Sequence, residues 1–180
     1  MSFRRKEDFE YHISYDPANE VPNGGANYNG LDYTDKTKVE LHTLFDDVLK
    51  TRMHGLCFSL YEDSQKPGDI ITEEQVRRRM KIIAPYTKWV RSFSCTEGNE
   101  FIPIIAKEYG IKTLVGAWLG NDNEVNEKEI EGLIKLSNEG YVDIAAVGNE
   151  VMYRKDLTED ELLEYIKRVR ESIPTSIPVS

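Results

Sequence analysis

Short apolar runs alternate with amphipathic segments from Gly55 to the last residue of the 180-residue sequence. Alternating strands and helices are typical of βαβ units and a parallel sheet, so this pattern constrains the fold more than any other feature. The predicted strands, in chain order, are 55–60, 88–94, 111–119, 142–147 and 177–179. The last run stops as a strand begins, and we therefore expect the sequence to be part of a longer one.

Apolar residues at helical spacing fill the segments between the strands. In the first segment Val76, Met80 and Ile83 repeat at i, i+4 and i+7. Thr72 and Gln75, just before them, resemble a capping box, in which two side chains satisfy free N–H groups at a helix start. Similar patterns follow the second, third and fourth strands, with a second capping box at Thr158 and Glu161. The sequence therefore predicts one helix after each of the first four strands.

The N-terminal residues have a different pattern. Turn formers crowd residues 11–34, which predicts an extended arm or loop, and a short helix is predicted over 39–50. The first ten residues are charged and lack the apolar core of a secretory signal. We divide the chain into an N-terminal arm with a short helix, residues 1–53, and a catalytic unit, residues 54–180.

Two α/β architectures fit the alternation: a doubly wound sheet and a (β/α)₈ TIM barrel. A dinucleotide-binding sheet requires a glycine-rich phosphate loop after its first strand, but Leu60 is followed by Tyr61 and several polar residues. In barrels the carboxyl ends of the strands build the active site, and here those ends carry aromatic, amide and carboxylate side chains. We predict a barrel, of which this chain covers about the first four βα units and the start of strand five. Closure then requires the C-terminal half or a complementary chain.

Charge and composition exclude several classes of function. The net charge of −9 disfavours nucleic acid as a partner, and no run of about 18 apolar residues predicts membrane insertion. The three histidines and two cysteines show no metal-ligand spacing, so neither a metal nor a cofactor is expected. Both cysteines, Cys57 and Cys95, lie in apolar segments and are expected to be packed thiols.

The sharpest local signal is an apolar strand that runs directly into Asn149 and Glu150. Burial favours the neutral form of a carboxyl group, and a raised pKa is what a general acid at a glycosidic oxygen requires. Asn149 could bind a sugar hydroxyl in the transition state. The alternative is a simple loop in which Glu150 pairs with Arg154 or Lys155. Spacing alone leaves both readings open.

Several segments resemble glycoside hydrolase family 17, in order and at suitable spacing. Residues 147–151, Val-Gly-Asn-Glu-Val, look like its fourth-strand motif. The stretches 55–61, 89–94 and 114–121 are similar to its first three strands and their exits, although family members often have Tyr where this chain has Phe93. The resemblance covers about residues 54–180.

This resemblance implies a retaining glycosidase that acts on laminarin-like β-1,3-glucan, with Glu150 as general acid/base. It places the nucleophilic Glu on a seventh strand, in a C-terminal half that this sequence lacks, so the 180 residues alone should be inactive. Glu62, Glu97 and Glu100 lie near strand ends but do not match the nucleophile's position, and we interpret them as surface or helix N-terminal charges. The resemblance also suggests a secreted or periplasmic setting. Two alternatives stay open: a β-1,3-glucan transferase, and a non-catalytic half-barrel that binds glucan or assembles with another chain.

The expected substrate-binding residues lie at the same strand ends as the acid. Besides Asn149 they are Tyr61, Phe93, Trp118, Asn121 and Arg91. Aromatic rings can stack on pyranose faces, and an amide can bind hydroxyls. Packing in the core or rim is the alternative for the three aromatic residues. Arg91 either orients a catalytic carboxylate or forms a structural ion pair.

Overall fold

Four short parallel strands form one sheet in the computed structural model, which describes residues 33–180. Their bounds are β1 Leu56–Cys57, β2 Trp89–Ser92, β3 Lys112–Ala117 and β4 Ile144–Val147. They lie in the sheet in chain order, so each strand pairs with the next one. A doubly wound sheet reverses its order near the first strand, whereas a barrel does not. Within residues 33–180 the order is that of a barrel.

The predicted fifth strand has its beginning beside β4. Ala145 donates its N–H to the carbonyl of Pro178, and Ser180 donates to the carbonyl of Ala145, both at 2.9 Å. Val179 is the parallel partner of Ala145. The start of strand five is therefore confirmed on the expected side of the sheet.

Helices follow the strands as predicted. Their bounds are α1 Lys38–Lys50, α2 Glu73–Ile83, α3 Phe101–Glu108, α4 Asn123–Asn138, α5 Val151–Arg154 and α6 Glu159–Ser172, with a 3₁₀ turn at Ala84–Tyr86. In residues 33–180 none of them is long and apolar enough to cross a bilayer. The short N-terminal helix is confirmed as α1, but nearly all of the predicted arm, 11–34, lies outside the described residues. The division at residue 53 stays a prediction.

The helix starts show how local sequence fixes these elements. Thr158 and Glu161 form the complete capping box predicted for α6. At α2 only half of the predicted box is present: Thr72 accepts from the N–H of Gln75, but the Gln75 side chain donates to the carbonyl of Leu60 at 2.8 Å. Gln75 is buried against the segment that follows β1, where the carbonyl of Leu60 needs a hydrogen-bond donor because water cannot supply one. The N–H groups at the helix start can be satisfied by solvent instead.

The core lies between the sheet and the helices, in two groups of buried apolar residues. One group packs the β1 and β2 region against α2 and α3, and includes Leu60, Met80 and Ile105. The other packs β3 and β4 against α4 and α6, and includes Leu133 and Val169. These contacts hold the carboxyl ends of the four strands at one edge, where the predicted site residues lie.

Candidate active site

Three aromatic side chains predicted to bind sugar surround one cavity at the carboxyl edge of the sheet. The cavity has a volume of about 420 Å³ and is mainly apolar, and its lining includes Tyr61, Phe93 and Trp118. Each follows a different strand, so the parallel order of β1, β2 and β3 is what brings them together. Trp118 is 40% exposed, so it does not pack in the core, and packing at the rim is the alternative that stays open for it.

Arg91 and Asn149 are joined across the sheet, from β2 to the exit of β4. The guanidinium of Arg91 donates to Oδ1 of Asn149 at 2.9 Å and lies 4.5 Å from the centre of the Phe93 ring. Arg91 thus binds an amide. The sequence suggested instead that it would orient a catalytic carboxylate or form a structural ion pair. Because Oδ1 accepts from Arg91, the amide N–H₂ of Asn149 is turned away from that bond and can donate elsewhere.

Glu150 is exposed in the described part of the chain, residues 33–180. The prediction that its carboxylate is buried is therefore wrong there. The reason is its position, three residues beyond the end of β4 and outside the layer between sheet and helices. Its backbone is left-handed, with φ 54° and ψ 21°, at the residue that precedes α5. This conformation costs a residue with a side chain about 1–2 kcal/mol, so the surrounding contacts must hold the turn in place.

Arg154 supplies those contacts. Its guanidinium donates to the carbonyl of Asn149, to the carbonyl of Leu119 at 2.8 Å and to the carboxylate of Asp156 at 2.6 Å, and it lies 4.4 Å from the ring centre of Trp118. Arg154 therefore ties the exit of β4 to the exit of β3. The simple-loop alternative paired Glu150 with Arg154 or Lys155, and for Arg154 the ionic partner is Asp156 instead.

We expect Arg154→Lys to lower the free energy of unfolding by about 1–3 kcal/mol, because an ammonium group cannot reach two carbonyls and a carboxylate at once. Arg168→Lys is the matched control. Arg168 also pairs with one carboxylate, Glu127, but that pair is 40% and 45% exposed, against 25% and 21% for Arg154 and Asp156. The control should lose about 0–1 kcal/mol. Urea denaturation measures the free energy of unfolding of both variants. Equal losses would contradict the role of Arg154 in joining the exits of β3 and β4.

Glu129, which sequence reasoning missed, is a buried carboxylate on α4 that also lines the cavity. Helical periodicity contained the signal, because Glu129 occupies the same buried stripe as Asn126, Ile130 and Leu133. Burial, together with the nearby charge of Glu129, raises the pKa of the Cys95 thiol well above its usual range, so that thiol stays protonated. Cys95 is packed, as expected.

Three other acidic residues were read from the sequence as surface or helix-terminal charges, and their partners agree with that reading. Glu62 binds Arg78 at 2.5 Å, Glu97 accepts from the N–H of Gly68 at 3.0 Å, and Glu100 accepts from the N–H of Gly98 at 2.8 Å. Asn121, also predicted to bind substrate, is exposed and does not line the cavity.

Comparison with known proteins gives three matches. Residues 55–179 match the sequence profile of the BtgE/BtgC glycoside hydrolase domain. A stretch of 96 residues, 50% of this chain, is 30% identical to a glucan 1,3-beta-glucosidase of Schizosaccharomyces pombe. The fold is similar to that of an active-site mutant of Rhizomucor miehei beta-1,3-glucanosyltransferase in complex with laminaritriose, with TM-score 0.59 and 25% identity, covering 72% of this chain.

The chain spans 30% of the length of the glucosidase and 49% of that of the transferase. The match to the solved transferase and the consecutive parallel strands confirm the barrel prediction for the part of the fold that this chain contains. Together the three matches confirm the resemblance to glycoside hydrolase family 17.

Proposed function

Because the chain belongs to the BtgE/BtgC glycoside hydrolase domain family, we propose that the protein cleaves β-1,3-linked glucan with retention, using Glu150 as its general acid/base. Neither Asn149 nor Glu150 lines the aromatic cavity itself. The observation that carries the proposal is that Asn149, the residue before Glu150, is joined through two arginines to the cavity residues Phe93 and Trp118. Asn149 is fixed by Arg91, and the turn of Glu150 is held by Arg154, which also contacts the cavity residue Trp118.

In this mechanism Glu150 gives its proton to the glycosidic oxygen while a second carboxylate attacks the anomeric carbon. The resulting glycosyl ester is then attacked by an acceptor whose proton Glu150 takes back. The two carboxyl groups must lie about 5–5.5 Å apart. The chain spans 49% of the solved transferase, and we propose that the nucleophile, on a seventh strand, comes from the other half of the barrel.

Exposure of Glu150 is compatible with this role. A general acid needs burial in the complex with substrate rather than in the free protein, because a bound sugar and the remaining strands displace water from the carboxyl group. In the proposed complex Asn149 directs its N–H₂ group to a sugar hydroxyl, and the rings of Tyr61, Phe93 and Trp118 face apolar surfaces of neighbouring glucosyl units.

Hydrolysis and transfer differ only in the acceptor of the second step, water in one case and a sugar hydroxyl in the other. The solved relative is named as a transferase and the curated relative as a glucosidase, so both outcomes belong to the proposal. Products longer than the starting oligosaccharide would indicate transfer, whereas shorter products alone would indicate hydrolysis.

The test is incubation of laminaritriose and longer laminari-oligosaccharides with residues 1–180 and with a longer form that contains the rest of the barrel. We expect cleavage or transfer by the longer form only. Activity of residues 1–180 would overturn the assignment of the nucleophile, and inactivity of both forms with retained binding would favour the non-catalytic alternative. That alternative is motivated by the aromatic lining of the cavity, because Tyr61, Phe93 and Trp118 could stack on glucosyl rings without a nucleophile.

Trp118→Ala should weaken laminaritriose binding by about tenfold, or about 1.4 kcal/mol, because it removes a ring that lines the cavity. Titration calorimetry measures the effect. Tyr109→Ala is the control, since Tyr109 is similarly exposed but precedes β3, at the opposite end of the strands. Unchanged affinity in Trp118→Ala would remove this residue from the proposed site.

A further inference from the structure

Glu129 places a carboxylate beneath the cavity, on the face of α4 that packs against the sheet. Its exposed fraction is 2%, and it borders the same cavity as Trp118 and Phe93. An ionised carboxylate is costly to bury unless donors surround it. The contacts of Glu129 therefore decide what the residue does.

Four donors meet the Glu129 carboxylate, two at each oxygen. Oε1 accepts from the hydroxyls of Ser94 at 2.5 Å and Thr96 at 2.6 Å. Oε2 accepts from the backbone N–H groups of Cys95 at 2.7 Å and Trp118 at 3.1 Å. A carboxylate has about four acceptor positions, so all of them are occupied.

These donors come from two separate loops. Ser94, Cys95 and Thr96 belong to the segment that follows β2 directly after Phe93, whereas Trp118 is the first residue after β3. Glu129 is thus the common anchor of the segments that carry two of the three aromatic cavity residues. Charge-assisted hydrogen bonds to backbone N–H groups fix backbone position, and with it the direction of the attached side chains.

We propose that Glu129 is a positioning residue that sets the distance and angle between Phe93 and Trp118, so that a glucosyl ring fits the cavity. The inference rests on the proposed function. These contacts also exclude Glu129 as the catalytic nucleophile, although it is a buried carboxylate that borders the cavity. A nucleophile needs a free lone pair directed at the anomeric carbon. All four acceptor positions of Glu129 are directed at the protein.

Two substitutions separate the roles. In Glu129→Gln the amide oxygen can accept from the two backbone N–H groups, and the amide N–H₂ can donate to the hydroxyls of Ser94 and Thr96, which also act as acceptors. Glu129→Gln should therefore keep the loops in place. Glu129→Ala removes every anchor at once and leaves buried donors without partners.

The experiment measures kcat and KM for laminari-oligosaccharides, and the Kd of laminaritriose, in the full protein that contains this chain. We expect Glu129→Ala to raise KM and Kd by about tenfold or more, with kcat changed by less than about threefold. Glu129→Gln should stay within about threefold of the unsubstituted protein in all three constants. Glu131→Ala, an exposed glutamate on the same helix, is the control and should change none of them.

Each other outcome has a distinct meaning. A loss of kcat of about a thousandfold in Glu129→Gln would make Glu129 part of the chemistry and overturn the proposal. Unchanged KM and Kd in a folded Glu129→Ala would overturn it as well, because a merely structural role lowers stability without changing affinity. Failure of the unsubstituted protein to bind laminaritriose would instead refute the proposed function.

Glu129→Asp provides a second variant in case Glu129→Ala does not fold. It retains the charge but withdraws the carboxylate by one methylene, so it cannot hold both loops at their present separation. We expect a folded protein with KM raised by about tenfold. An unchanged KM in Glu129→Asp would count against the proposal in the same way as for the alanine variant.

Discussion

Glu150→Gln should lower kcat for laminari-oligosaccharide cleavage by about 10²–10⁴-fold while leaving the Kd of laminaritriose within about threefold. The amide has the shape of the carboxyl group but cannot give up a proton to the glycosidic oxygen. Binding depends instead on the cavity and on Asn149, which the substitution does not touch. The effect should therefore fall on the chemical step alone.

The leaving group and the acceptor show which step has failed. A substrate with a strongly acidic phenol as leaving group needs little protonation, so its first step should be nearly normal in Glu150→Gln. Azide needs no general base and should restore the second step. Glu159→Gln, an exposed glutamate in the first turn of α6, is the matched control and should retain full activity. If Glu150→Gln lowered kcat equally for the phenol leaving group and for the sugar leaving group of a laminari-oligosaccharide, the acid/base role would be contradicted.

Gly98→Ala should lower the free energy of unfolding by about 2–4 kcal/mol. Gly98 has φ +100°, and a Cβ added there would lie 2.2 Å from the carbonyl oxygen of Ile71. Backbone would have to move to make room, in a loop that is also bonded to Ile71 through the carbonyl of Glu97 at 2.9 Å. The same loop carries Ser94 and Thr96, so laminaritriose affinity should fall as well.

Gly110→Ala separates the two causes of this loss. Gly110 also has positive φ, +66°, but a Cβ there would meet no atom within 4 Å. Gly110→Ala should lower the free energy of unfolding by about 1 kcal/mol, which is the cost of the left-handed backbone alone, and should leave laminaritriose affinity unchanged. Chemical denaturation of both variants gives the comparison. Similar losses at the two glycines would show that the close approach to Ile71 has little effect.

The order and type of the main elements could be predicted from apolar periodicity, but strand length could not. Residues 55–60 were predicted as one strand, whereas only Leu56 and Cys57 pair with β2. Phe58 keeps one backbone hydrogen bond to β2, donating its N–H to the carbonyl of Arg91 at 2.9 Å, whereas Leu60 lies beyond the strand, and both residues stay buried. An apolar run reports burial rather than pairing, so it extends a strand into the loop that follows. Helix α5 was missed because four residues show no period.

The aromatic lining of the cavity could be predicted from position at a strand end, whereas contacts between residues distant in sequence could not. Tyr61, Phe93 and Trp118 were found in this way. The contacts of Arg154 and Glu129 could not be found, since their partners at Leu119 and Cys95 lie far away along the chain. Helical periodicity indicates only that Glu129 is buried. The same limit explains Cys57, which was expected to be packed but is exposed.

The left-handed turn at Glu150 has an evolutionary consequence. A glycine would adopt φ 54° without steric cost, so folding alone favours loss of the side chain at this position. The proposed acid/base role of Glu150 would oppose that pressure. In duplicated copies released from catalysis we expect glycine or asparagine to appear at position 150 early, while Arg154, which holds the turn, persists longer. The residue at position 150 would then distinguish catalytically active copies from copies that have lost activity.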